Sequence, residues 1–511
     1  MTRTAHALAT RATAITAAAL LACAGPAVAP VFAAQPSSGA PVPGQPGPSA
    51  WEPPPVDMGL LHQLPPENPR GTPDDNTFTQ QQGDSCIASD VGRVLLTDQP
   101  PAQEMLDIDQ AQQFSTGKNV TVAVIDTGVN PHPFLTTHNR LSSGGDYILR
   151  DGNALIDCDG HGTIVAGIIA ADTRGQSQNT AFKGVAPDAR ILAIKHTSTH
   201  YTAQDDNNRP AGDLETLAEA IRFAADRPDV KVITMSVDEC VPIALKQQAL
   251  GGQFARELQA AIHYAGDDKN KVVVAAAGNL LSGGADQNGQ QTSLCQGVPQ
   301  NDSPDPNQVN QLQIPPVYSD DVVSVASVDP TTGAPSPFTV WGPWVTIAAP
   351  GQHITSVDPG KGGTGLSNQT NEGNQTIPLQ GTSFAAPYVA GVIALVRSRF
   401  PDLTARQVIY RIEATAQHPS SASGRDPQVG YGIIDPVAAL TAAIPGQNGV
   451  PANPARSVPA ALPSPVVKDW TPARVALLGT VGAAVLFLVT LLVTRSVRRN
   501  RVTDDPAIKP R

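Results

Sequence analysis

The 511-residue chain predicts an α/β fold in which helices flank a parallel β-sheet on both faces. Three observations carry that expectation. The runs "VTVAVID" (120–126), "ARILAIK" (189–195), "VKVITMSV" (230–237), "KVVVAAAG" (271–278) and "VVSVASV" (322–328) are short and almost wholly apolar, as strands buried on both faces must be. The longer stretches "DLETLAEAIRFAADR" (213–227) and "QFARELQAAIHYAG" (253–266) repeat apolar residues at the helical period. Strand and helix then alternate along the chain, the order that crossover connections in a parallel sheet require. Functional groups in such sheets gather beyond the carboxyl ends of the strands, so the residues that close each run are the first candidates.

The remaining segments follow in chain order. Arg3 and Arg11 precede the apolar stretch "AITAAALLACAGPAVA", and small residues follow near Ala33 and Ala34; residues 1–34 read as a secretory signal peptide. Residues 35–106 are rich in proline, glutamine and acidic side chains, with too few patterned apolar positions for a core of their own, and read as an extension that wraps the main domain. Residues 107–443 hold the α/β pattern. Residues 444–472 repeat proline without helical or strand periodicity, the signature of a semi-extended linker. Val475–Val493 is uncharged over 19 residues, about 28 Å as a helix, which matches a bilayer core; residues 473–494 read as one transmembrane helix. Arg495, Arg498, Arg499 and Arg501 follow it, whereas only Lys468 and Arg474 stand just before. The positive-inside rule therefore puts the tail 495–511 in the cytoplasm and the main domain on the extracytoplasmic side of the plasma membrane.

Composition excludes other classes. A formal charge of -11 with 15% charged residues, and no basic block outside the tail, rules against a nucleic-acid partner. Cys23 leaves with the signal peptide, so Cys86, Cys158, Cys240 and Cys295 remain, an even number in an oxidising compartment and the material of two disulfides. Order along the chain leaves all three pairings open. None of these cysteines stands at C-x-x-C spacing and no acidic loop has calcium-ligand spacing, so neither a metal nor another cofactor is expected.

Four residues carry the chemistry. Asp126 closes "TVAVID" and presents a carboxylate where a buried strand ends. His161 opens a small-residue helix in "CDGHGTIVAGIIAA", flanked by Gly160 and Gly162, whose bare backbones let something approach closely. Asn279 ends "KVVVAAAGN" and offers a side-chain amide donor. Ser383 sits at the start of a helix in "GTSFAAPYVAG", where unpaired N–H groups and the helix dipole stabilise an oxyanion. Pro387 lacks the N–H that would have bonded the Ser383 carbonyl.

In the order Asp, His, Asn, Ser, the segments "VIDTGV", "DGHGTIVAGIIA", "AAAGN" and "GTSFAAPYVAG" resemble the four signatures of the subtilisin-like serine proteases. The likeness extends through "KGVAPDARILAIK", "VITMSV", "AAPG" (348–351) and "GYGIIDPVAAL". It implies an Asp126/His161/Ser383 triad with Asn279 as an oxyanion donor, acting on protein substrates. The sequence of leader, extension, protease domain, linker, span and arginine tail is similar to that of the mycosins, membrane-anchored proteases of type VII secretion systems. That resemblance implies pairing of Cys86 with Cys158 and of Cys240 with Cys295, a type VII secretion membrane complex as partner, and processing of selected exported proteins. It also implies a structural part in the complex, and a mainly structural role is the competing expectation. One departure from ordinary subtilisins stands beside the expected cleft: Asp238 and Glu239 replace small residues, as in mycosins. The segments 197–213 and 281–313 are polar and aperiodic and read as loop insertions.

Overall fold

The structure is a computed structural model and describes residues 51–64, 78–80, 86–90, 93–94, 98–149, 152–175, 180–203, 210–280, 295, 298–303, 305, 308–372, 375–421, 423–447 and 471–501. The expected signal peptide, and most of the linker and of the cytoplasmic tail, lie outside them.

Seven strands form the central sheet: β1 (Thr121–Asp126), β2 (Leu141–Asp146), β3 (Arg190–Lys195), β4 (Val230–Met235), β5 (Val272–Ala276), β6 (Val322–Val328) and β7 (Val345–Pro350). Their order across the sheet is β7-β6-β5-β4-β1-β3-β2, and every neighbouring pair is parallel. Successive side chains on a strand point to opposite faces, and here both faces are apolar. Val122 and Val124 of β1, with Val272 and Val274 of β5, join a core with α1 (His161–Ala170) and α4 (Thr382–Arg399). Ala123 and Ile125, with Val273 and Ala275, join a second core with α2 (Leu214–Asp226) and α3 (Gln253–His263). The near-continuous apolar strands are thus explained by helices on both sides. α4 is buried over nearly its whole length, which fits a helix with no polar face. α5 (Ala405–Ala414) and α6 (Pro436–Thr441) complete this unit.

The chain divides into two compact units at Ala442/Ala443. In the second, α7 runs from Thr471 to Arg501 over 31 residues. Among the described residues, no helix is long and apolar enough to cross a membrane; the side chains described along α7, Thr480 and Gly482–Ser496, are exposed.

The described parts of the extension lie on the first unit. Trp51 packs edge-on against the buried Trp344, with ring centroids 5.9 Å apart. Leu61 and Leu64 enter the α2/α3 core, and the Arg222 guanidinium donates to the carbonyls of both. The segment 197–213 differs from its reading as a loop: Ser198–Ala203 and Pro210–Ala211 are antiparallel strands, and Phe78–Gln80 of the extension pairs with the first. Alternating threonine and tyrosine in "STHYTA" supply the β propensity, but the partner strand lies about 120 residues away in sequence and leaves no local signal. Gln311–Ile314, which overlaps the end of the second expected loop, pairs antiparallel with Glu239–Pro242.

Candidate active site

Asp126 is the last residue of β1 and is 1% exposed. Its Oδ1 accepts the Thr127 backbone N–H at 2.8 Å and lies 2.8 Å from His161 Nδ1. His161 is the first residue of α1. The glycines beside it serve the protein's own packing: a methyl group on Gly162 would stand 2.1 Å from the Gly128 carbonyl oxygen and 3.0 Å from Asp126 Cβ. α1 therefore meets the end of β1 more closely than any side chain allows. Gly160 has φ of +82°, and a methyl group there would meet Pro359 at 2.8 Å and Ile87 of the extension at 2.9 Å.

A second carboxylate builds this junction. Asp157, buried, accepts from Thr127 Oγ1 at 2.7 Å, Gly160 N at 2.8 Å, Thr163 N at 2.9 Å and Thr163 Oγ1 at 2.6 Å. It fastens the residue after Asp126 to the first turn of α1, satisfying donors that a helix N-terminus leaves open. Burial pushes its carboxyl up to about 6 against the pull of those donors. Asp159 accepts from Ser198 Oγ at 2.6 Å and Thr199 N at 2.8 Å, tying the same loop to the strand Ser198–Ala203 that the extension joins. The Cys86 and Cys158 sulfurs lie at bonding distance, as do those of Cys240 and Cys295.

Burial by itself would lower the His161 pKa. The Asp126 charge and hydrogen bond, reinforced by Asp157 and Asp159, outweigh that loss of hydration and hold the imidazole above its ordinary value.

Ser383 is the second residue of α4, half-buried between buried Thr382 and Phe384. The Phe384 ring packs on the His161 imidazole, centroids 5.1 Å apart, which sets serine and histidine side by side. No hydrogen bond joins them in this structure; such contacts tighten when substrate binds. The Ser383 carbonyl, deprived of a helical partner by Pro387, accepts from Ser236 Oγ at 3.1 Å. Asn279, just past β5, accepts through Oδ1 from Thr382 N at 2.9 Å and Thr382 Oγ1 at 3.1 Å, which turns its Nδ2 the other way. Gly381 has φ of +150°, and a methyl group there would be 3.5 Å from Ser383 Oγ and 3.8 Å from both Nδ2 and Oδ1 of Asn279. The Ser383 hydroxyl and the Asn279 side-chain amide thus stand beside the same glycine.

All four residues singled out in the sequence meet at the carboxyl edge of the sheet. Asp157, Thr163 and Ser236 were not singled out. "DCDGHGT" contains the signal for the first two, an acidic residue and a threonine bracketing a helix start, but Ser236 reaches Ser383 across 147 positions with no local mark.

Comparison with known proteins follows the same lines. Residues 117–432 match the model of the subtilase family. Mycosin-4 of Mycobacterium tuberculosis is 39% identical over 465 residues, covering 90% of this chain and 93% of the relative. The solved structure of MycP1, a serine protease described as an essential component of the type VII (ESX-1) secretion system, is 39% identical with a TM-score of 0.64; the match covers 76% of this chain and 99% of that one. A chain in the structure of an intact ESX-5 inner membrane complex is 35% identical with a TM-score of 0.64, covering 87% of this chain and 100% of that one.

Proposed function

The chain belongs to the subtilase family and within it to the mycosins, a serine endopeptidase of the subtilisin-like kind, and on that premise we propose which residues do its chemistry and where it works. Ser383 Oγ attacks the scissile carbonyl. His161 takes the serine proton and returns it to the leaving amine, and Asp126 holds the imidazole in place and stabilises its charged form. Asn279 Nδ2 and the Ser383 backbone N–H bind the oxyanion of the tetrahedral intermediate, where preorganised donors cost no rearrangement. The observation that carries this reading is the 2.8 Å Asp126–His161 contact beside a half-exposed serine at a helix N-terminus.

The substrates on this reading are selected proteins exported by a type VII secretion system, and the protein works within that system's membrane complex. Residues 1–34 direct export, residues 35–106 wrap the protease domain 107–443, and the linker 444–472 leads to a single span at 473–494, with the tail 495–511 in the cytoplasm. Support for the anchor comes from the uncharged stretch Val475–Val493 inside α7 and from the arginines after it; support for the complex comes from the ESX-5 relative. The two cysteine pairs act as disulfides in that oxidising space.

A deletion strain given either the wild-type gene or a Ser383→Ala copy separates proteolysis from the structural part. Terminal-peptide profiling of exported proteins is expected to show specific cleavages lost with Ser383→Ala while secretion itself persists. Cleavages that persist with Ser383→Ala refute the assignment.

A further inference from the structure

The contact between Asp126 Oδ1 and His161 Nδ1, 2.8 Å long, has a companion one residue further along each segment. There the Gly162 N–H donates to Thr127 Oγ1 at 2.9 Å. Thr127 has a single hydroxyl hydrogen, and it goes to Asp157 Oδ1 at 2.7 Å. The lone pairs of that hydroxyl are thereby left for Gly162. Asp157 is fixed in turn: its Oδ2 accepts from Thr163 N and Thr163 Oγ1, its N–H donates to Asn130 Oδ1 at 3.0 Å, and its carbonyl accepts from Asn130 Nδ2 at 2.6 Å. Asn130 N closes the network on Thr163 Oγ1 at 2.8 Å. Thr127, Asn130, Asp157 and Thr163 are all buried, so a bond lost among them leaves a polar group with no water to replace it.

We propose that Asp157 is a positioning residue for the triad: by turning the Thr127 hydroxyl toward Gly162, it sets the distance between Asp126 and His161. The roles proposed for Asp126, His161 and Ser383 are its premise. Among the described residues, Asp157 bonds none of the three triad side chains, so its effect on the triad passes through one hydroxyl. The junction has no slack on its inner side, because a methyl group on Gly162 would stand 2.1 Å from the Gly128 carbonyl oxygen. Once the Thr127 link is cut, β1 and α1 can only part.

The test uses the full-length protein in detergent and a fluorophosphonate. Maximal labelling rate, half-saturating concentration, the pH midpoint of labelling and a melting curve are measured for wild type, Thr127→Val, Thr127→Ser, Asp157→Asn and the double variant Thr127→Val/Asp157→Asn, with Ser383→Ala and His161→Ala as controls. Thr127→Val removes the hydroxyl with little change of shape. It should lower the maximal rate by about 10- to 100-fold, the cost of a catalytic group misplaced by about 1 Å, at unchanged half-saturation. Its pH midpoint should also fall below that of wild type. His161 faces the carboxylates Asp126, Asp157 and Asp159, which hold its pKa up, and Thr127→Val removes none of them, so a lower midpoint reports Asp126 moving away. Thr127→Ser keeps the hydroxyl and should stay within about threefold of wild type in rate. Asp157→Asn should cost at least as much as Thr127→Val, and the double variant should lose little more than Asp157→Asn alone, because both substitutions cut the same link. Should Thr127→Val not fold, Thr127→Ala carries the same predictions. Equal losses in Thr127→Ser and Thr127→Val, a lower melting temperature with rate and midpoint both unchanged, or a fully additive double variant each overturn the proposal. If Ser383→Ala or His161→Ala still labels like wild type, the triad reading fails and this inference with it; if both abolish labelling and Thr127→Val is silent, only this inference fails.

Discussion

Replacing Gly162 by alanine tests the junction on which the triad is built. The added methyl would begin 2.1 Å from the Gly128 carbonyl oxygen, about 1 Å inside the closest contact a carbon atom tolerates. Both sides of the clash are backbone, so relief requires that α1 and the end of β1 move apart by about that amount. The Asp126–His161 contact at 2.8 Å would stretch past the range of a hydrogen bond, and the Gly162 N–H would leave Thr127 Oγ1, now 2.9 Å away. Overpacking of this kind costs roughly 1–3 kcal/mol of stability, and a 1 Å error in a catalytic group costs about 10² in rate. The assay is the rate of fluorophosphonate labelling alongside a thermal melt. Gly251→Ala is the control, since a methyl group there meets nothing within 4 Å, and it should change neither. A Gly162→Ala protein that labels and melts like wild type would refute the packing argument.

Other consequences are open to measurement. Asn279→Ala should lower the maximal labelling rate by about 10² to 10³, the magnitude known for loss of the same donor in a subtilisin, with half-saturation unchanged. Because His161 must be neutral to act as base and its pKa is held above the ordinary value, labelling should rise with pH through a midpoint above about 6.5. Asp126→Asn removes the charge that favours the imidazolium, so the midpoint measured in a pH series should move down as the rate falls. Breaking the Cys86–Cys158 link, which spans 72 positions, with a double serine substitution should cost up to about 4 kcal/mol in the chain-entropy model, read as a lower denaturant midpoint than wild type.

Much of the protease domain is legible in the sequence because its information is local. β1, β3, β4, β5 and β6 are continuous apolar runs, and α2 and α3 carry an apolar stripe, so period and length suffice. β2, "LSSGGD", lies at the sheet edge and pairs on one side only; its serines and glycines carry no strand signal, since backbone pairing to β3 alone recruits it. The antiparallel pair Ser198–Ala203 and Pro210–Ala211 is likewise completed by a distant partner in the extension. At the site, Asp126, His161, Asn279 and Ser383 stand out because each closes a strand or opens a helix. Asp157 and Ser236 act by bonding groups that tertiary structure brings to them, and the close approach that the bare backbone of Gly162 allows is that of the Gly128 carbonyl.

The most direct test of the central claim, that Asp126, His161 and Ser383 form one working triad, is covalent labelling of the folded full-length protein by a fluorophosphonate, with the modified residue located by peptide mass spectrometry. Modification of wild type is expected on Ser383 alone, and none in Ser383→Ala or His161→Ala at the same probe concentration. A folded wild type that takes up no label, or takes it up at another residue, would contradict it.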